Sequence, residues 1–207
     1  MKLILVSGKA NSGKSETSRI IKEYLDNSKP FAKNYCKNHT KVIPLAEPVK
    51  LIAQTLFNWN GEKDKTGRDL LINIGTYIGR NQGYKLGDYF FGKDGVEITD
   101  MYNLFCKYYT PDVNIWSSIL KDKAVYLSNN LTHIIVDDNR FKSEIFYLRN
   151  IFKDDLITIR VKNNHRTHYI DDISETDLDN FMFDYYIENN EDDNDNYIIE
   201  QIKAIEF

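Results

Sequence analysis

The chain has 207 residues, 27 basic and 31 acidic, a net charge of −4, and 42% hydrophobic and 28% charged residues. That balance belongs to a globular protein with a buried core, and the length suits one domain carrying an insertion rather than two independent ones. An acidic total speaks against stable, sequence-independent nucleic-acid binding, while Cys36 and Cys106 lack metal spacing and no apolar run reaches the roughly 18 residues of a membrane span.

Met1-Lys2 is followed by an apolar run that ends at Gly8-Lys9, too short for a secretory signal, so a cytoplasmic location without membrane attachment is expected. Leu3 to Val6 reads as a buried strand and Ser15 to Leu25 as a helix. Lys41 to Ala46 reads as the second strand, and Pro48 opens a helix carrying Val49, Ile52, Ala53, Leu56 and Phe57. Asp64-Lys65-Thr66-Gly67 matches DxxG but follows no strand, and no NKxD accompanies it, so it reads as a turn. Arg68 to Gly83 has helical spacing weakened by Gly75 and Gly79. Tyr84 to Asp100 reads as an irregular cap whose Tyr89, Phe90 and Phe91 suit packing or stacking on a base. Asp112 to Leu127 reads as a helix with Trp116 in its core face. Thr132 to Val136 is the third strand, Phe141 to Phe152 a helix and Leu156 to Val161 the fourth strand. Ser174 to Asn180 is a short helix, Phe183 to Ile187 the fifth strand and Tyr197 to Ile205 the last helix. The alternation implies an α/β fold with a central parallel five-stranded sheet covered on both faces. Its core comprises residues 1–46 and 132–207, with an insertion over about 47–131.

Gly8-Lys9-Ala10-Asn11-Ser12-Gly13-Lys14-Ser15 matches GxxxxGK[ST], between a predicted strand and a predicted helix. Glycines let successive N–H groups curl toward phosphate oxygens, and the helix start adds partial positive charge. Gly8, Ala10, Asn11, Ser12, Gly13, Lys14, Ser15 and Glu16 are therefore the expected ATP-binding residues, with Lys14 on the phosphates and Ser15 on Mg²⁺. At the end of the third strand, Asp137-Asp138 resembles a Walker B element, and Asp138 is the expected second Mg²⁺ ligand. Arg140, two residues on, is placed to clamp a phosphate. His165 and His168 share a spacing of three without a third ligand, so no metal role is assigned to them.

Asp138-Asn139-Arg140-Phe141-Lys142-Ser143-Glu144 resembles the D-x-R-F-x-x-E element of phage-type deoxynucleoside monophosphate kinases. Ala46-Glu47-Pro48-Val49-Lys50 resembles that family's A-[ED]-P-[LV]-K element, and Arg68 to Thr76 its R-x-L-L-x-x-I-G-T helix, followed by Arg80. Ser174-Glu175 and Phe183-Asp184-Tyr185-Tyr186-Ile187-Glu188-Asn189 resemble its ending. The order of these stretches spans nearly the whole chain; Asp172 departs from it where the family often has histidine, and 83–112 matches nothing. The resemblance implies a P-loop kinase three-layer sandwich with a helical acceptor-binding insertion and a short lid over about 162–175. It implies transfer of the ATP γ-phosphoryl group, with Mg²⁺, to a deoxynucleoside 5′-monophosphate, and is compatible with a homodimer. Lys14, Arg140, Asp138 and Arg68 would then be catalytic; Lys50, Arg68, Arg80, Arg140, Glu144 and Glu175 would bind the acceptor; Arg166 would reach ATP from the lid. Other small-molecule kinases (of dephospho-coenzyme A or phosphomevalonate), an ATPase and a non-catalytic nucleotide-binding protein remain alternatives.

Overall fold

The computed structural model describes residues 1–28, 39–62, 64–78, 115–163, 173–190 and 195–207. Short runs of Ile, Leu, Val and Thr form five strands: β1 (Lys2–Ser7), β2 (Thr40–Val42), β3 (His133–Val136), β4 (Leu156–Lys162) and β5 (Tyr185–Glu188). They pair parallel in the order β2-β3-β1-β4-β5, with Leu3 opposite both Ile134 and Leu156. The helices are α1 (Lys14–Asn27), α2 (Glu47–Phe57), α3 (Lys65–Ile72), α4 (Ile115–Leu127), α5 (Lys142–Phe152), α6 (Ile173–Thr176) and α7 (Asp195–Ile202). A π-helical stretch (Asn73–Ile78) follows α3, and a 3₁₀ turn (Lys153–Asp155) follows α5. No described helix is long and apolar enough to cross a membrane.

The chain divides into two compact units, residues 1–44 with 123–207 and residues 45–122. In the first, β1 is the central strand and is buried on both faces from Leu3 to Val6. Strand alternation sends Ile4 and Val6 to one face, where they join Ile135, Ile159 and Ile187 against Ile20, Ile21 and Leu25 of α1 and Ile198 and Ile202 of α7. Leu3 and Leu5 take the opposite face, and α5 packs against β4 with Ile145 and Leu148 buried. In the second unit, Val49, Ile52 and Ala53 of α2, Ile74, Trp116 and Leu120 are buried. The Trp116 indole donates to the Gly75 carbonyl at 2.8 Å, so this tryptophan is core, as its helical spacing predicts.

Several boundaries differ from the sequence expectation for identifiable reasons. The second strand ends at Val42, not Ala46: the Ile43 N–H still donates to the Ile135 carbonyl, but Pro44 has no N–H to continue the ladder. The helix expected from Arg68 starts at Lys65, because Asp64 accepts the Gly67 N–H and caps it; the DxxG stretch is thus a helix start. Its continuous α-pattern gives way to π geometry at Asn73. The helix expected over 174–180 is confined to 173–176 and runs into turns. The last helix runs over 195–202, starting two residues and ending three residues earlier than expected. The fifth strand begins at Tyr185, because Asp184 is engaged before it.

Asp184 accepts from the Thr158 N–H, the Thr158 hydroxyl and Arg149, each at 2.8 Å. Burial pushes its carboxyl up, but the Thr158 and Arg149 bonds outweigh that and hold it below the ordinary range. Thr158 is fully buried, so Asp184→Ala strands its N–H; the expected loss is about 1–3 kcal/mol at pH 7, read by chemical denaturation. The stability from a depressed carboxylate is complete above its unfolded pKa near 4 and fades as pH falls through the lower folded value. The gap between wild type and variant should therefore narrow below about pH 4.

Candidate functional site

The connection leaving β1 runs through α1 on one face of the sheet, while that leaving the neighbouring β3 runs through α5, packed on β4. Such a reversal opens a crevice at the carboxyl ends of the two strands. The loop after Ser7 and the Asp137–Phe141 turn after Val136 both emerge there.

The first loop needs its glycines. A Cβ on Gly8 would lie 2.6 Å from the Val161 carbonyl, and Gly13 has φ +86°, where a side chain is strained. Asn11 also takes positive φ, 62°. The Asn189 side-chain amide donates to the Ser12 carbonyl at 3.1 Å, pinning the loop from the end of β5. Gly13 provides no side-chain cap, so the first N–H groups of α1 have no intrahelical partner and face an anion's natural seat. The Ser12 hydroxyl is buried and meets no hydrogen-bond partner among the described residues. Ser15 is exposed in the first turn, and Glu16 is exposed and paired with Arg19.

Lys14 turns back into the loop and donates to the Gly8 and Lys9 carbonyls, both at 2.7 Å. Burial, then the field of Arg140, push it down to about 8; Glu175 pulls it up, Arg160 lowers it and Asp137 raises it. The four charges around this lysine thus come from three other segments of the first unit. Asp138, the expected Mg²⁺ ligand, is half-buried in the same turn as Asp137, whose carboxylate acts on Lys14 together with that of Glu175.

Glu144 is fully buried. One of its oxygens accepts from the Asn139 amide and the Arg140 and Phe141 N–H groups at 2.9, 3.0 and 3.1 Å. It shapes the turn and caps α5, an internal role in place of the acceptor contact the resemblance implies. The turn presents the Arg140 side chain, one-third exposed, to Glu175. Glu175 is buried, and its other oxygen accepts the Ala10 N–H at 2.7 Å.

Sequence reasoning missed Asp179 and Arg160. Asp179 pairs with Lys9 at 3.0 Å and with Arg160 at 3.1 Å. Arg160 lies within β4, donates to the Ser7 hydroxyl at 3.0 Å and stacks over Phe183. Burial lowers its pKa, against the opposing fields of Asp179, Glu175 and Tyr186. A 480 Å³ cleft adjoins it, lined in part by Lys9, Lys162 and Tyr186.

Lys50 is half-buried on α2 and Arg68 exposed on α3, both in the second unit. Arg80, Arg166, the histidines His165 and His168, both cysteines and the aromatic run at 89–91 lie outside the described residues, as does most of the expected lid.

The donors near Lys14 suit Mg²⁺: a serine hydroxyl and aspartates, all hard oxygen ligands. No group of three or more His, Cys, Asp or Glu that could hold a metal occurs among the described residues, so a divalent ion here would complete its shell with phosphate and water. No family model matches the chain. No curated protein matches it either.

Proposed function

We propose that the protein is an ATP-dependent kinase of the P-loop three-layer type that phosphorylates a deoxynucleoside 5′-monophosphate, in the cytoplasm, for deoxynucleotide supply. The observation that carries this reading is the half-buried Lys14 in a glycine loop, flanked by Arg140 and Asp137 at a sheet crevice. An oxygen of the acceptor monophosphate attacks the γ-phosphorus, the β–γ bridging P–O bond breaks, and ADP leaves with that electron pair. The acceptor phosphate is already nucleophilic, so the protein supplies position and charge more than a base. Lys14 exchanges its two carbonyl partners for phosphate oxygens, and the open N–H groups at the start of α1 take the others. Mg²⁺, when bound through Ser15 and Asp137 or Asp138, neutralises phosphate charge. Arg140 retains guanidinium donors that meet no described residue, and these suit an acceptor phosphate. Lys50, Arg68, Arg80 and Arg166 stand on the resemblance alone.

The experiment mixes the protein with ATP, Mg²⁺ and each deoxynucleoside monophosphate in turn and measures ADP. Acceptor-dependent ADP with a matching diphosphate is expected. Acceptor-independent hydrolysis points to an ATPase, and no turnover with any acceptor removes the kinase reading.

A further inference from the structure

Glu175, Asp177 and Asp179 are spaced two apart, and each engages a different segment. Asp177 accepts the Lys142 N–H at 2.7 Å, at the start of α5. Asp179 holds Lys9 and Arg160. Glu175 alone divides its two oxygens between the phosphate loop and the turn after β3: one accepts the Ala10 N–H, the other takes the Arg140 guanidinium. Its side chain is only 7% exposed.

A carboxylate is a poor ligand for a polyanion, and this one has both oxygens committed to the protein. That argues against direct contact with the acceptor, the role the Ser174-Glu175 resemblance implies. Arg140 is long and flexible, and without a partner its guanidinium would be spread over many rotamers. Tied to a carboxylate that is itself fixed to the loop backbone, it is held in one arrangement relative to Lys14. The two cations repel each other, as the effect of Arg140 on Lys14 shows, so their proximity needs a counter-charge; Glu175 lies in the field of both.

We propose that Glu175 is a positioning residue: it fixes the Arg140 guanidinium against the phosphate loop, so that the two cationic elements stand in register before any substrate binds. For its reaction the proposal rests on the kinase reading; for its geometry it does not.

Glu175→Gln keeps an oxygen for the Ala10 N–H but removes the charge that holds Arg140. The acceptor kcat/KM is expected to fall about 10–100-fold. The ATP dissociation constant should stay within about threefold or tighten, because a negative charge near the polyphosphate is gone. A general loosening of the fold moves both the same way. In combination with Arg140→Ala, Glu175→Gln should add almost nothing to the loss from Arg140→Ala alone, since it acts through that arginine. Equal losses in ATP affinity and acceptor kcat/KM, or full multiplication of the two single effects, would overturn the proposal.

A readout independent of turnover separates this from the kinase reading. The Arg140 Nε–H resonance in nuclear magnetic resonance spectra should report a restricted guanidinium in the wild type and an averaged one in Glu175→Gln. An unchanged resonance sinks the positioning role whether or not any acceptor is phosphorylated, whereas absence of turnover with an altered resonance sinks only the kinase reading.

Discussion

Lys14→Ala is expected to lower phosphoryl transfer by at least about 10²–10³-fold, the scale of losing one preorganised charge at a developing anion. It should also remove most ATP affinity while leaving the fold intact. The reason is that the cation is already inside the loop, bonded to the Gly8 and Lys9 carbonyls, before any phosphate arrives. Its pKa of about 8 gives the pH dependence a definite sign. Phosphate needs the charged form, so ATP affinity should be full below pH 8 and decline as pH rises through it. Stability runs the other way. The unfolded chain binds the lysine proton up to its ordinary pKa, so between pH 8 and about 10.4 the unfolded state holds more protons and Lys14 favours folding as pH rises. At neutral pH the buried charge is a cost, and the alanine variant should melt no lower than wild type. Calorimetric titration with ATP over this range, with circular dichroism melting, checks both. Wild-type ATP affinity in the variant would remove Lys14 from the phosphate site.

Arg140→Ala is expected to cut acceptor-dependent turnover about a hundredfold or more, with a smaller change in ATP affinity. The arginine donates from the turn after β3, opposite the donor loop, so its loss falls on the acceptor side. An independent signature accompanies this. Arg140 is the leading charge that depresses Lys14, so its removal should move the alkaline fall in ATP affinity to higher pH. Arg140→Lys keeps the charge but not the planar fork, and should restore the pH behaviour while recovering turnover only in part. Unchanged acceptor kcat/KM in Arg140→Ala would place the acceptor phosphate elsewhere. Some stability should be lost too, because Glu175 is left buried without its cation. The melting temperature must therefore be compared alongside the rates.

The sheet and the loop were legible because each is written in consecutive residues. Strand runs such as Leu3 to Val6 and Ile134 to Val136 are short, apolar and bounded by turn residues, as strands buried on both faces of a parallel sheet are. The GxxxxGKS stretch states its own backbone needs through Gly8 and Gly13. The bonds that hold the site were not legible in the same way. The resemblance marks Glu175 as an acceptor contact and gives Asp177 and Asp179 no role; while 174–180 is taken as helical, residues two apart point to different sides and share no partner. Once the helix stops at Thr176, each reaches a separate segment. Arg160 carries no motif and lies inside a strand, where an arginine gives no signal of a site. Yet its strand is a neighbour of β1, which sets its guanidinium beside the Ser7 hydroxyl at the root of the loop. Glu144 was misread for the opposite reason: a motif position was taken as a substrate contact, when three N–H groups of its own turn already fill one of its oxygens.

What fixes the phosphate loop comes from far along the chain. Ser7 meets Arg160 across 153 residues, Ala10 meets Glu175 across 165, Lys9 meets Asp179 across 170 and Ser12 meets Asn189 across 177. During synthesis the ribosome makes the loop at least 153 residues before any of these partners, so each tie waits until β4 or a later segment has left the exit tunnel. Contacts of such separation also slow folding, because a long segment must close before they form. A nascent chain therefore carries the loop sequence without these ties until those segments emerge. Premature termination anywhere before β5 would leave the loop without its Asn189 anchor, so the same topology that places the site at the centre of the sheet also makes it depend on segments translated long after it.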